Sequence, residues 1–271
     1  MKNKVGVITS TYANFDTEEA LEGISKTGVK YVELITVPGF LEHISLKPED
    51  ADDTLDICKK YGVELYAIAG HGRMLKENSV KSFKEVIDAA SLLGVDYVDT
   101  DTGEIKDDND KNIFYKDIKV LGEYAAGKGV TIGIETHGNW CNNGKIASEV
   151  IKKINNPNVK ITYDPANSIF YGDTRPEGDI KYAIHFLGHL HVKDKRGGKG
   201  VWDFPVLGEG ELDFDKIFSL LKNFEGPMTL EIELDGKKNP INEVNDAVRR
   251  SYEFIKSYGL AWSKLLMDKI N

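Results

Sequence analysis

Short apolar, β-branched runs alternate with longer amphipathic stretches along the whole chain. The runs open near Val5 (V-G-V-I-T-S), Tyr31 (Y-V-E-L-I), Val63 (V-E-L-Y-A-I-A) and Val95 (V-D-Y-V-D-T). They continue near Val130 (V-T-I-G-I-E), Val159 (V-K-I-T-Y-D), His189 (H-L-H-V-K-D) and Met228 (M-T-L-E-I-E-L). Strands covered on both faces have this composition. A helical pattern follows each. Phe83, Val86, Ile87 and Ala90 are spaced i, i+3, i+4, i+7, as are Ile180, Ala183, Ile184 and Leu187, and Phe214, Ile217, Phe218 and Leu221. Each set makes one apolar stripe able to cover a sheet. Gly28, Gly62, Gly94, Gly129 and Gly188 stand just before the following strands, where a helix can end in the left-handed conformation that glycine accepts.

Eight strand–helix units of one kind in 271 residues predict an α/β fold, a closed (β/α)8 TIM barrel in a single domain over 1–271. An open doubly wound sheet is the alternative. It would carry a Gly-rich phosphate turn after an early strand, and the first run continues into T-S-T-Y-A-N-F-D, which has no glycine. Residues 259–271 read as an extra C-terminal helix with an apolar face, packed on the barrel or on a partner.

Barrel active sites form at the C-terminal ends of the strands. Glu135, Asp164, His191 and Glu231 fall at such ends in the last four runs. Two Glu, one Asp and one His, with no thiolate, make a hard ligand set suited to a divalent ion of the Mn, Mg or Co type. The net charge of -9 opposes nucleic-acid binding, because an acidic surface repels phosphates. Cys58 and Cys141 have neither metal-like nor disulfide-like spacing, which points to a reducing compartment. No apolar run approaches a membrane span, and the first strand opens almost at Met1. A cytoplasmic protein that does not engage membranes is the expectation.

The succession I-E-T-H-G-N, Y-D-P-A-N, H-L-H-V-K-D, G-E-G-E-L-D-F and G-P-M-T-L-E-I-E resembles the sugar phosphate isomerase/epimerase family of xylose isomerase-like TIM barrels. The resemblance is specific from about Glu135 to Glu233. It implies one bound divalent metal, Mn first, with Mg, Co or Zn as alternatives, held by Glu135, Asp164, His191 and Glu231. His191 is chosen over His189 because it lies nearer the strand end. Glu231 is chosen over Glu233 on the match to the family's last-strand motif. The implied chemistry is isomerisation or epimerisation of a keto sugar or related polyol. Proton abstraction next to a carbonyl would give a metal-stabilised enediolate, with Glu135 and Glu231 as base and acid. His137 is a further base candidate, since an imidazole titrates near neutrality. The alternative is a metal-dependent lyase, a dehydratase or a keto-glycoside-cleaving subunit, in which β-elimination follows the same abstraction. The partners implied are a small carbohydrate and, beyond it, a second copy or a smaller subunit. An apurinic endonuclease would need more histidines than the six present, and Asn167 stands where that branch has one. A non-catalytic binding barrel would make the four ligands incidental.

Further pocket candidates are Asn167, three residues after Asp164; Lys193, which Asp194 could orient; Glu33 and His71, read as the ends of the second and third strands; and Trp202, with Trp140 and Phe170 as other aromatic walls. The stretch from Lys195 to Glu211 is long for a barrel connection and rich in glycine. Such loops are usually functional, and this one is expected to close over the site.

Overall fold

The computed structural model describes residues 3–234 and 238–260. Eight parallel strands close into a barrel. They are β1 (Val5–Ile8), β2 (Tyr31–Val37), β4 (Glu64–Ala69), β5 (Tyr97–Thr100), β6 (Thr131–Glu135), β7 (Val159–Tyr163), β8 (Leu187–Val192) and β9 (Met228–Leu230). The two-residue β3 (Leu41–Glu42) folds back antiparallel on β2. Closure is seen in the register, because Gly6 of β1 faces Tyr31 of β2 on one side and Thr229 of β9 on the other. The predicted strand openings agree with these bounds to within about two residues, the usual uncertainty of an element end.

The helices form an outer layer: α1 (Thr17–Ser25), α2 (Ala51–Lys60), α3 (Ser79–Leu92), α4 (Asp108–Lys128), α5 (Gly144–Ile154), α6 (Pro165–Phe170), α7 (Pro176–Ala183), α8 (Phe214–Leu220) and α9 (Ile241–Ser257). Their apolar stripes meet the sheet; Phe83, Val86, Ile87 and Ala90 of α3 are all buried. Gly28, Gly62, Gly94 and Gly129 have positive φ, as the C-terminal positions require.

Two expectations change. Gly188 is not a helix terminator but lies inside β8, where a Cβ would meet the Tyr97 hydroxyl at 2.6 Å. The stripe Ile180–Ala183–Ile184–Leu187 runs past the end of α7: Ile184 sits in a 3-10 turn and Leu187 opens β8. A periodic apolar pattern continues across a boundary when the next strand is apolar too. The extra helix expected over 259–271 lies almost wholly outside the described residues.

The barrel interior is not purely apolar. The Tyr66 hydroxyl of β4 donates to the Met228 carbonyl of β9 at 2.9 Å. These strands are not neighbours, so the contact crosses the interior. His189 Nδ1 lies 2.9 Å from Asp99 Oδ2, and His189 Nε2 lies 2.7 Å from Thr229 Oγ1. Thr162 donates to the other Asp99 oxygen. A hydrogen-bonded layer thus forms the floor on which the strand-end residues stand.

Candidate metal centre

Glu135 closes β6, Asp164 directly follows β7, His191 is the penultimate residue of β8 and Glu231 directly follows β9. These strands are consecutive neighbours in the barrel. One ligand atom from each of the four residues lies within 4.8 Å of the others. His191 Nδ1 is 3.2 Å from Glu135 Oε1 and 3.3 Å from Glu231 Oε2.

Asp164 has two tasks. Its Oδ1 accepts the N–H groups of Ala166 at 2.7 Å and Asn167 at 2.9 Å, which caps α6. Pro165 at the first helical position needs no acceptor. That leaves Oδ2 facing the cluster. Asp164 Oδ2 and Glu231 Oε2 are buried and have no hydrogen-bond partner among the described residues. Buried acceptors of this kind are costly unless a donor or a cation meets them. The donor set, three carboxylates and one imidazole, fits a hard divalent cation.

The electrostatics describe the same need. Burial would raise the Glu135 carboxyl, but His191 and His71 outweigh it and hold it at about 2. Burial raises Asp164 well above the usual range, with Glu231 and Glu135 adding to it against Lys193. Burial would lower His191, yet Glu33, Glu135 and Glu231 push it well upward. The carboxylates thus keep protons and positive side chains close, compensation that a divalent cation supplies directly.

The cavity above the cluster has a volume of about 110 Å³. His137 lines it, with its Nε2 2.8 Å from the Tyr171 hydroxyl. Burial lowers the His137 pKa, so the imidazole is neutral near pH 7. His71 Nε2 lies 3.4 Å from Glu135 Oε2, and Asn167 Nδ2 donates to Glu135 Oε1 at 3.2 Å; both line the cavity. Lys193 Nζ pairs with Glu231 at 3.2 Å, more closely with Glu233, and lies 4.0 Å from Asp164. Trp202 lines this cavity and also a neighbouring one of about 320 Å³.

Three expectations are corrected here. Glu33 is not a strand end and does not line the cavity: it lies mid-strand in β2, fully buried, and Ile35 reaches the cavity instead. Parity permits both positions, and only the tilt of the strand decides between them. Trp140 packs against Phe114 and Tyr115, away from the site. Asp194 does not orient Lys193. Its carboxylate accepts the backbone N–H groups of Lys195, Gly208, Gly210 and Leu212 and so builds the base of the long loop. Between β8 and α8 that loop contains no regular element, and it carries Trp202 and Phe204 to the cavity.

Sequence reasoning missed Tyr171, which no spacing rule marks, and the floor residues Asp99 and His189. The pair His189 and His191 hinted at the latter, since alternation puts both on one face.

Residues 21–258 match the family model described as xylose isomerase-like TIM barrel. An inosose dehydratase of Clostridium botulinum is 29% identical over 145 residues, which cover 46% of this chain and 47% of that protein. The chain thus matches about half the length of that curated relative. A xylose isomerase domain protein from Planctomyces limnophilus superposes with a TM-score of 0.78 at 20% identity, covering 95% of this chain and 97% of that one. D-allulose 3-epimerase from Methylomonas sp. superposes with a TM-score of 0.74 at 19% identity, covering 94% and 97%. At these identities the two structures speak for the fold.

Proposed function

We propose that this chain, which belongs to the xylose isomerase-like TIM barrel family, is a divalent-metal-dependent isomerase or epimerase of a keto sugar or related polyol. The observation that carries this is the convergence of Glu135, Asp164, His191 and Glu231, with Asp164 Oδ2 and Glu231 Oε2 buried there without a hydrogen bond among the described residues. A divalent cation at these residues would polarise a carbonyl and offset the negative charge that develops on its oxygen. Manganese suits the hard donor set, and magnesium, cobalt or zinc are the alternatives.

The chain's own residues then divide the work. Glu135 and Glu231 reach the cluster from strands β6 and β9, which lie on opposite sides of β7 and β8. One removes the proton next to the carbonyl, and the other returns one at the neighbouring carbon or on the opposite face. His71 and Asn167 hold Glu135 in place. Lys193, paired with Glu231 and Glu233, offers N–H donors to a sugar oxygen. Trp202 and Phe204 wall the cavity and exclude water from the reacting carbon.

One observation favours a second reading, a lyase. Neutral His137 with Tyr171 at 2.8 Å adds a proton relay beside the two glutamates. A leaving hydroxyl or alkoxide needs an acid, and neutral His137 becomes one when it takes the proton from the carbon beside the carbonyl and then passes that proton to the leaving oxygen. The similarity to an inosose dehydratase supports the same reading.

The deciding experiment is metal analysis followed by solvent-deuterium exchange over keto sugars, inososes and 3-keto-glycosides. Exchange at the carbon beside the carbonyl is expected. An epimer as product marks the first reading and an unsaturated ketone the second. Metal-loaded protein that exchanges none of these substrates sinks both.

A further inference from the structure

Beneath the proposed metal ligands, Glu33 and His191 face each other across 3.3 Å, from Oε2 to Nε2. Both are fully buried or nearly so, at 0% and 1% exposure. Neither Glu33 oxygen has a hydrogen-bond partner among the described residues, and neither has His191 Nε2. Every other member of the floor is accounted for. Asp99 takes His189 and Thr162, His189 takes Asp99 and Thr229, and Tyr66 takes Met228. The two unmatched groups are each other's nearest complement, one an acceptor and one a ring nitrogen.

We infer that Glu33 is a positioning residue for the metal: it accepts the Nε2–H of His191, so that the Nδ1 lone pair faces Glu135 and Glu231. The inference rests on the metal reading proposed above. An imidazole ligates only through a nitrogen that carries no proton, and the partner of the other nitrogen decides which one that is. His191 spans two layers. Its Nδ1 lies within 3.3 Å of carboxylate oxygens of Glu135 and Glu231, and its Nε2 points down to Glu33, with Asp99 Oδ2 further off at 3.9 Å. A carboxylate below also raises the donor strength of the nitrogen above.

A second cation among Glu33, Asp99, His189 and His191 is the competing use of the same atoms, since these also converge within 4.8 Å. It is disfavoured because His191 would have to ligate through both nitrogens and so lose both ring protons. His189 already spends its nitrogens on Asp99 and Thr229.

The test uses full-length protein labelled with 15N-histidine and loaded with 113Cd2+. Cadmium affinity is measured by titration, and metal–nitrogen coupling identifies the ligating atom. Wild type should bind one cadmium in the cluster, coupled to a single Nδ1. Glu33→Gln should bind about ten- to a hundredfold more weakly, the range for losing a partner behind a ligand. Its coupling should be lost or moved, because the glutamine amide can present a donor to Nε2. Coupling to Nε2 in wild type overturns the inference even if the variant does not fold. So does equal affinity with unchanged coupling in Glu33→Gln, or a second cadmium that Glu33→Gln removes. Wild type that binds no cadmium overturns the metal reading itself, and this inference with it.

Discussion

The Tyr171 hydroxyl lies 2.8 Å from His137 Nε2, which ties the first residues after β6 to the end of α6. His137 therefore has a fixed partner on the cavity wall, while Glu135 two residues earlier joins Asp164, His191 and Glu231 in the proposed metal site. Removing the imidazole should leave the cluster intact. His137→Ala is expected to keep its metal and melting temperature and to lose turnover by roughly 10²–10⁴-fold, the range for general acid–base catalysis. A variant that loses its metal or fails to fold would show that His137 serves structure instead. Tyr171→Phe should fall between wild type and His137→Ala.

Asp164 divides its carboxylate between capping and the proposed metal site, Oδ1 accepting the first N–H groups of α6 and Oδ2 lying in the cluster of four. Asp164→Ala should lose metal and also about 1 kcal/mol of stability from the missing cap. Asp164→Ser restores a capping oxygen but supplies no carboxylate. Its melting temperature should recover toward wild type in the presence of chelator, with metal binding still absent. Recovery of metal in the serine variant would remove Asp164 from the ligand set.

Lys193 is almost fully buried among Glu231, Glu233 and Asp164. Burial opposes its charge, but the three carboxylates raise its pKa well above normal. Lys193→Met should destabilise chelator-treated protein by about 3–5 kcal/mol, since carboxylates are left without their cation. At one fixed saturating metal concentration the loss should shrink, because the carboxylates freed in the variant bind the cation more tightly, each tenfold gain in affinity returning about 1.4 kcal/mol. Denaturant titrations with and without metal measure both numbers. An equal loss in both conditions would mean that lysine and metal compensate different charges.

The loop between β8 and α8 is anchored at its base by Asp194. Gly210 allows this, because a Cβ there would collide with the carboxylate. Asp194→Asn removes the charge from four N–H contacts, and hydrogen bonds to charged groups contribute about 1.5–3 kcal/mol each. Faster proteolysis within 195–211 and a raised KM are expected, with metal content unchanged. Unaltered cleavage would show that the loop is held elsewhere.

Trp202 is 51% exposed yet touches Phe170 and Phe204 at the cavity. Closure of the loop on a bound sugar should bury it. Quenching of tryptophan fluorescence on substrate addition, absent in Trp202→Phe, is the expected outcome. The same quenching in both proteins would place the change at another tryptophan.

The pattern of residues alone determined the barrel and the four polar side chains that converge at its rim. Eight apolar runs each need helical cover, and closure of the sheet is the repetitive solution to that need. Glu135, Asp164, His191 and Glu231 were legible because a polar residue that ends an apolar run has a fixed place at the rim of a barrel. Contacts between residues far apart in sequence had no such sign. Whether Glu33 meets the cavity or the floor depends on strand tilt. The pairing of Tyr171 with His137, and of Asp194 with the backbone of Gly208 and Gly210, depends on how loops of unrelated sequence pack together. Local periodicity records which face a side chain takes; only the closed barrel sets its height along the axis and the group it meets there.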